Sequence, residues 1–251
     1  IHGGQAVFSR IEHEDTRLER KLIQTVKRFD FVLTMGTVTK DYLRARGIRV
    51  PIHPVCVGLV NPVASTQCVL KKYDLISVAR LEPVKRLDLL IDIMCVVVQS
   101  LPNARMAIVG DGIQKSYLES YVRSLGLEDN VEFLGWQKDP VSLLPTAKVF
   151  ALTSQWEGLP IAAVEAMSVG VPCVLPNVGD TSDLVEHGAT GWFWNPENKF
   201  ACAEAVIGIL GDEGKVRSVS IAAREHSQKY ALPACRERWR VLAEPVDAAF
   251  S

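Results

Sequence analysis

Residues 148–175 read KVFALTSQWEGLPIAAVEAMSVGVPCVL. The stretch opens on an apolar strand, KVFALTS at 148–154, and passes through a short polar loop. It starts a helix at Pro160 and returns to a strand, VPCVL at 171–175. Proline suits a first helical turn, since the amide it lacks would have no partner there. Strand, helix and strand in succession form one unit of a parallel sheet.

The same rhythm runs outward in both directions. DLISVAR at 74–80 and RMAIVG at 105–110 read as strands, joined by a helix over 84–100. In that helix Leu87, Leu90, Ile91, Met94, Val97, Val98 and the following Leu101 recur at three- and four-residue steps. Tyr117, Leu118, Tyr121, Val122 and Leu125 stripe the next helix, which Gly126 is placed to end. VEFLG at 131–135 is a strand and DPVSLLPTA at 139–147 a short helix. GWFW at 191–194 is a short strand, followed by helices near 198–210, 213–229 and 234–243. Upstream, DFVLTM at 30–35 reads as a strand, 37–46 as a helix and 50–57 as extended, with NPVASTQ at 61–67 as a linker. The expected fold is α/β, a doubly wound parallel sheet of Rossmann-like type with helices on both faces. Ligands of such sheets sit beyond the carboxyl ends of the strands, near a switch in strand order.

Composition narrows the function classes. The 251 residues are 48% hydrophobic and 23% charged, with a net charge of −1. That balance excludes a collagen-like or disordered chain and disfavours a nucleic-acid binder. No apolar run reaches the roughly 18 residues of a membrane span. None of the six cysteines forms a C-x-x-C pair, and they read as reduced, mostly buried thiols of a cytoplasmic protein. The five histidines lack metal-ligand spacing. There is no Walker A motif, no G-x-G-x-x-G after the first strand and no G-x-S-x-G. An NTPase, a Rossmann dehydrogenase and an α/β-hydrolase lose ground accordingly.

The residues just past the strands carry the candidate chemistry. Arg80 ends one strand and Lys85 opens the following helix. Two cations beside a helix N-terminus suit a diphosphate, and two solvated surface cations are the plainer reading. Glu157 and Glu165 flank Gly158-Leu159-Pro160-Ile161. The amides of Gly158, Leu159 and Ile161 are free at a helix start to bind phosphate or sugar oxygens. A carboxylate inside the helix suits paired hydroxyls such as those of a ribose, with a cap and a surface Glu as the alternative. Gly110-Asp111-Gly112 reads as a turn. The loop Gly179-Asp180-Thr181-Ser182-Asp183 either lies over a ligand or caps a helix. His2 sits at a strand end, and Trp156 is the tryptophan placed to face the crevice.

Taken in order, VARLEPVKRLDLLIDI, AIVGDG, VEFLGW and TSQWEGLPIAAVEAMSVGVPCVLPNVGDTSDLVEHGATGWFW resemble the family 4 glycosyltransferases of the GT-B fold. The match runs over about residues 74–230, and the spaced pair Glu157 and Glu165 is the family's hallmark. The resemblance implies a retaining sugar transferase of the hexosyltransferase type. Arg80 and Lys85 would hold the diphosphate of a nucleotide sugar, UDP- or GDP-linked. Glu165 would bind the ribose, and Glu157 with Gly158, Leu159, Pro160 and Ile161 would face the donor sugar. Backbone from Gly135 to Gln137 would contact the base. Glu157 and His2 would be the catalytic residues, with no metal and no bound cofactor. Many members carry E-G-F-G where this chain has Glu157-Gly158-Leu159-Pro160, which removes one amide, and Glu where Asp183 stands.

The resemblance implies that residues 1–60 are the remnant of an acceptor-side Rossmann-like domain and 61–251 the nucleotide-sugar-binding domain. Its acceptor would be a glycan or a lipid-linked sugar, in polysaccharide biosynthesis. The chain opens on Ile-His-Gly-Gly, and something upstream is expected to be missing. The 251 residues alone are therefore expected to bind donor weakly and transfer little. Between 10 and 49 there are ten Lys/Arg against six Asp/Glu. That excess would favour peripheral contact with the inner face of the membrane, although an ordinary solvated face accounts for it. A non-catalytic nucleotide-sugar-binding protein of the same fold is the competing reading.

Overall fold

The computed structural model describes residues 16–55, 58–59, 69–195 and 197–250. Helix α1 (Thr16–Val26), strand β1 (Val32–Thr34), helix α2 (Thr37–Ala45) and strand β2 (Ile52–Pro54) come first. Next are β3 (Tyr73–Val78), α3 (Leu87–Ser100), β4 (Met106–Val109), α4 (Lys115–Ser124) and β5 (Val131–Gly135). Then follow β6 (Ala147–Ala151), α5 (Ile161–Ser168), β7 (Cys173–Pro176) and β8 (Gly191–Trp194). Helices α6 (Lys199–Gly211), α7 (Glu213–Ser227) and α8 (Leu232–Phe250) end the chain.

Strands β3 to β8 form one parallel sheet in the order β5-β4-β3-β6-β7-β8. The chain starts at the middle, winds out to one edge, returns and winds to the other. That is the doubly wound order expected from the alternating pattern, with its switch between β3 and β6. Side chains alternate between two cores, as the pleat requires. Met106, Ile108, Val149, Ala151 and Val174 face α3, α4 and α6. Ala107, Val109, Phe150, Cys173 and Leu175 face α5, α7 and α8. The expected stripe of α3 is the buried one: Leu87, Leu90, Ile91, Met94 and Val97 are at most 1% exposed.

A smaller parallel pair, β1 with β2, packs Val32 and Ile52 against Val26, Leu43 and Ile48. The first turn of α2 rests on the larger sheet's loops. Asp180, fully buried, accepts from the Thr39 amide at 2.9 Å and its hydroxyl at 2.7 Å. Asp183 accepts from the Thr37 amide and hydroxyl, each at 2.5 Å. Gly36 is needed there, because a Cβ would sit 2.5 Å from the Asp180 side chain. The expected 179–183 loop is a 3-10 turn whose two carboxylates cap a helix 141 residues earlier. Burial pushes the Asp180 carboxyl up, and the Thr39 donors pull it back.

Several boundaries move for physical reasons. The helix expected over 84–100 begins at Leu87. Pro83–Lys85 is a separate 3-10 turn, and Arg86 takes the left-handed conformation, φ 49°, between them. Lys85 thus closes a turn and does not open the helix. Residues 140–146 form a 3-10 helix, because Pro145 has no amide to continue an α-helical ladder. β6 ends at Ala151, not at Ser154, which releases Thr153 and Ser154 from the ladder. Pro160 is the cap of α5, not its first residue, and its carbonyl accepts from Ala163 at 3.0 Å. α7 stops at Ser227, and α8 starts earlier and runs farther than expected. The 61–67 linker lies outside the described residues.

Candidate functional site

The two loops at the switch point are tied together through consecutive carbonyls of 84–86. The Gln155 amide donates to the Val84 carbonyl at 2.9 Å. The buried Thr153 hydroxyl donates to the carbonyls of Arg86 at 2.7 Å and Lys85 at 3.2 Å. Arg86 is the one non-glycine residue with positive φ among the described residues. Such a conformation costs energy and persists only where its surroundings hold it.

That turn aims Lys85 across the switch. Its Nζ stands 2.8 Å from Glu157 Oε1, and Ser154 Oγ donates to the same oxygen at 2.6 Å. The carboxylate is 7% exposed and the lysine 19%. A buried carboxylate needs this partnership, since desolvating it alone costs several kcal/mol. Arg80 behaves otherwise. It is 72% exposed and pairs with Glu82 two residues on, Nη1 to Oε1 at 2.6 Å. Each expected cation therefore has its own carboxylate, and Arg80 does not join the Lys85–Glu157 pair.

Beyond Glu157 the chain rises into α5. The Gly158, Leu159 and Ile161 amides have no backbone acceptor among the described residues, as expected of a helix start. Glu165 lies in the second turn of α5, half-buried, with its carboxyl raised by burial and secondarily by the Asp139 charge. The Trp156 indole N–H, beside Glu157, is buried with no partner among the described residues.

The loop after β4 crosses under the same crevice. Gly110 and Gly112 let the backbone approach where a Cβ would come within 1.9 Å of the Ala79 carbonyl and 2.5 Å of the Leu81 carbonyl. The turn is thus a close crossing of two loops, sealed by the Leu81 amide on the Asp111 carbonyl at 2.9 Å. Gly135 ends β5 at φ 66° and accepts from the Gly110 amide at 2.8 Å. Gln137 Nε2 folds back onto the Leu134 carbonyl at 2.7 Å. Trp136 between them is 70% exposed.

A cleft of about 610 Å³ opens at the carboxyl ends of β6, β7 and β8. Arg86, Thr153, Ser154, Asn177 and Asn195 are among its lining, so it adjoins the Glu157 pair through Ser154. Thr153 and Ser154 escape sequence reasoning because the apolar run KVFALTS reads as strand to 154, whereas the strand ends at Ala151. Glu82 escapes it because a carboxylate beside an arginine carries no signal of its own. His2 lies outside the described residues. Cys173 and Cys202 are buried free thiols, Cys235 is buried and Cys95 partly buried, while Cys56 and Cys68 are outside the described residues. Among the described residues no helix is long and apolar enough to cross a membrane.

Residues 64–226 match the family model of the glycosyl transferases group 1. An exopolysaccharide phosphotransferase of Streptomyces coelicolor is 33% identical over 165 residues, 65% of this chain and 18% of that protein. N-acetyl-alpha-D-glucosaminyl L-malate synthase of Bacillus anthracis is 31% identical over 60% of this chain and 39% of its own. The chain thus spans under half the length of these relatives. Anabaena HepE, solved with UDP, superposes with a TM-score of 0.83 at 24% identity over 94% of this chain and 69% of that one. TarM of Staphylococcus aureus, solved with UDP among its ligands, gives 0.81 at 22% over 89% and 46%. The shared architecture is GT-B.

Proposed function

We propose that this chain, which belongs to the glycosyl transferases group 1, is the donor-binding part of a retaining family 4 glycosyltransferase. It would bind a nucleotide sugar, UDP- or GDP-linked, across the switch between β3 and β6. The observation that carries this reading is the Lys85–Glu157 pair at that switch, placed beside the amides of Gly158, Leu159 and Ile161, which have no backbone acceptor among the described residues.

In this reading the base lies along the backbone from Gly135 to Gln137 and the ribose hydroxyls meet Glu165. The diphosphate lies between Arg80 and Lys85. Lys85 has three N–H donors, so it can keep Glu157 and still meet a phosphate oxygen. Arg80 can swing from Glu82 at little cost, because an exposed pair is worth under about 1 kcal/mol. As the bond from the sugar C1 to the diphosphate oxygen breaks, negative charge grows on the leaving group. The held Lys85, Arg80 once it has swung over, and the positive end of α5 then stabilise it. Glu157 and the amides after it face the sugar, with Pro160 shaping that wall without donating. His2 completes the catalytic set. The acceptor is a glycan or lipid-linked sugar in polysaccharide biosynthesis, with the work done on the cytoplasmic side. The residues that bind acceptor belong to the remainder of a two-domain enzyme, so 251 residues alone bind donor weakly and transfer little.

Calorimetric titration with UDP, GDP and ADP tests the site. One nucleotide should bind, and an Arg80→Ala/Lys85→Ala double variant should lose it. No binding of any nucleotide by the wild-type chain, or equal binding by the variant, overturns the reading. Robust sugar transfer by the 251 residues alone would overturn the division of labour.

A further inference from the structure

We propose that Thr153 is a positioning residue: its hydroxyl holds the strained Arg86 turn that aims Lys85 at Glu157 and at the diphosphate. The diphosphate part rests on the proposed donor site, whereas the aiming of Lys85 does not.

Three observations converge. Arg86 adopts φ 49° without being glycine, at the joint between a 3-10 turn and α3. Thr153, 1% exposed, gives its one hydroxyl proton to the carbonyls on both sides of that joint, Arg86 at 2.7 Å and Lys85 at 3.2 Å. The next residue, Ser154, donates to the oxygen of Glu157 that Lys85 also holds. Two adjacent hydroxyls at the end of β6 therefore set the two halves of one ion pair, Thr153 through the lysine's backbone and Ser154 directly on the carboxylate. Without the Thr153 hydroxyl, the Lys85 carbonyl loses this donor and the Arg86 carbonyl keeps only the α3 amides of Leu89 and Leu90, and Arg86 is free to relax towards negative φ. The lysine stem then swings with the backbone that carries it. The hydroxyl is the active feature, so serine should serve and valine, similar in shape but apolar, should not.

Two readouts test this on the full 251-residue chain. Acetylation of the ligand-free protein by an N-hydroxysuccinimide ester, read peptide by peptide by mass spectrometry, reports how firmly Lys85 is held. Thr153→Val should raise the Lys85 rate several-fold while Lys148 and Lys199 keep theirs, and Thr153→Ser should stay near wild type. Unchanged Lys85 reactivity in the valine variant overturns the proposal. So does an equal rise at every lysine, or a serine variant that behaves like valine. The second readout is nucleotide affinity with UDP, GDP and ADP. Thr153→Val should weaken the bound nucleotide about tenfold, with no added loss in a Lys85→Ala background. Losses that add in the double variant show action by another route and overturn the proposal. If the wild-type chain binds none of the three nucleotides, the donor-site reading falls, while the labelling still decides what Thr153 does.

Discussion

The two ends of the loop after β3 carry two ion pairs of opposite character. At the near end Arg80 meets Glu82 at 2.6 Å across two residues, with the guanidinium mostly in water. At the far end Lys85 meets Glu157 at 2.8 Å across 72 residues, with both side chains largely out of it. The shorter contact is the weaker support. An exposed pair trades one hydrated state for another, whereas a buried carboxylate whose partner is removed stays behind uncompensated. Burial and the elements joined, not distance, decide which pair holds the fold.

The contrast can be broken most directly at Lys85. Lys85→Ala should cost about 3 kcal/mol in urea unfolding, because it leaves the Glu157 carboxylate with Ser154 alone. A loss no larger than that of Arg80→Ala would erase the distinction. Glu165 sharpens it from another side, as a half-buried carboxylate with no cation paired to it among the described residues. Its folded pKa is raised, so the folded chain holds this proton more tightly than the unfolded one. The ionised form therefore costs stability above the raised value, and that cost fades as pH falls through it. It is gone below the usual value of 4.5. Glu165→Gln should raise Tm by about 2–4 °C at pH 7, lose that gain near pH 4, and weaken nucleotide binding. A Tm gain that is equal at both pH values would place its cause elsewhere. The smallest effect belongs to Arg80→Ala, which should stay within about 0.5 kcal/mol of wild type in unfolding. Its nucleotide affinity should nevertheless fall, by an amount that shrinks with added salt.

The architecture was legible because hydrophobic periodicity and strand–helix alternation are local signals. The stripe of α3 and the strands VEFLG and GWFW follow from side-chain spacing alone. The order of strands, with its switch between β3 and β6, then directs attention to the loops that carry Lys85 and Glu157. What could not be read is what depends on partners far along the chain. Nothing in PVKR announces a left-handed Arg86, which exists because Thr153 holds it from another loop. Likewise Gly-Asp-Thr-Ser-Asp resembles a cap, but the helix it serves cannot be named without the fold. Arg80 and Lys85 look alike in sequence and differ only once burial is known.

That cap also orders events in time. Thr39 leaves the ribosome 141 residues ahead of Asp180, a delay on the order of ten seconds at common elongation rates. Throughout it, the first turn of α2 has its amides open to water and lacks the carboxylates that complete it. The small β1–β2 unit therefore cannot dock through this cap until residues 179–183 have been made. Contacts that close so long a loop raise the contact order of the fold, and with it the time it needs to form.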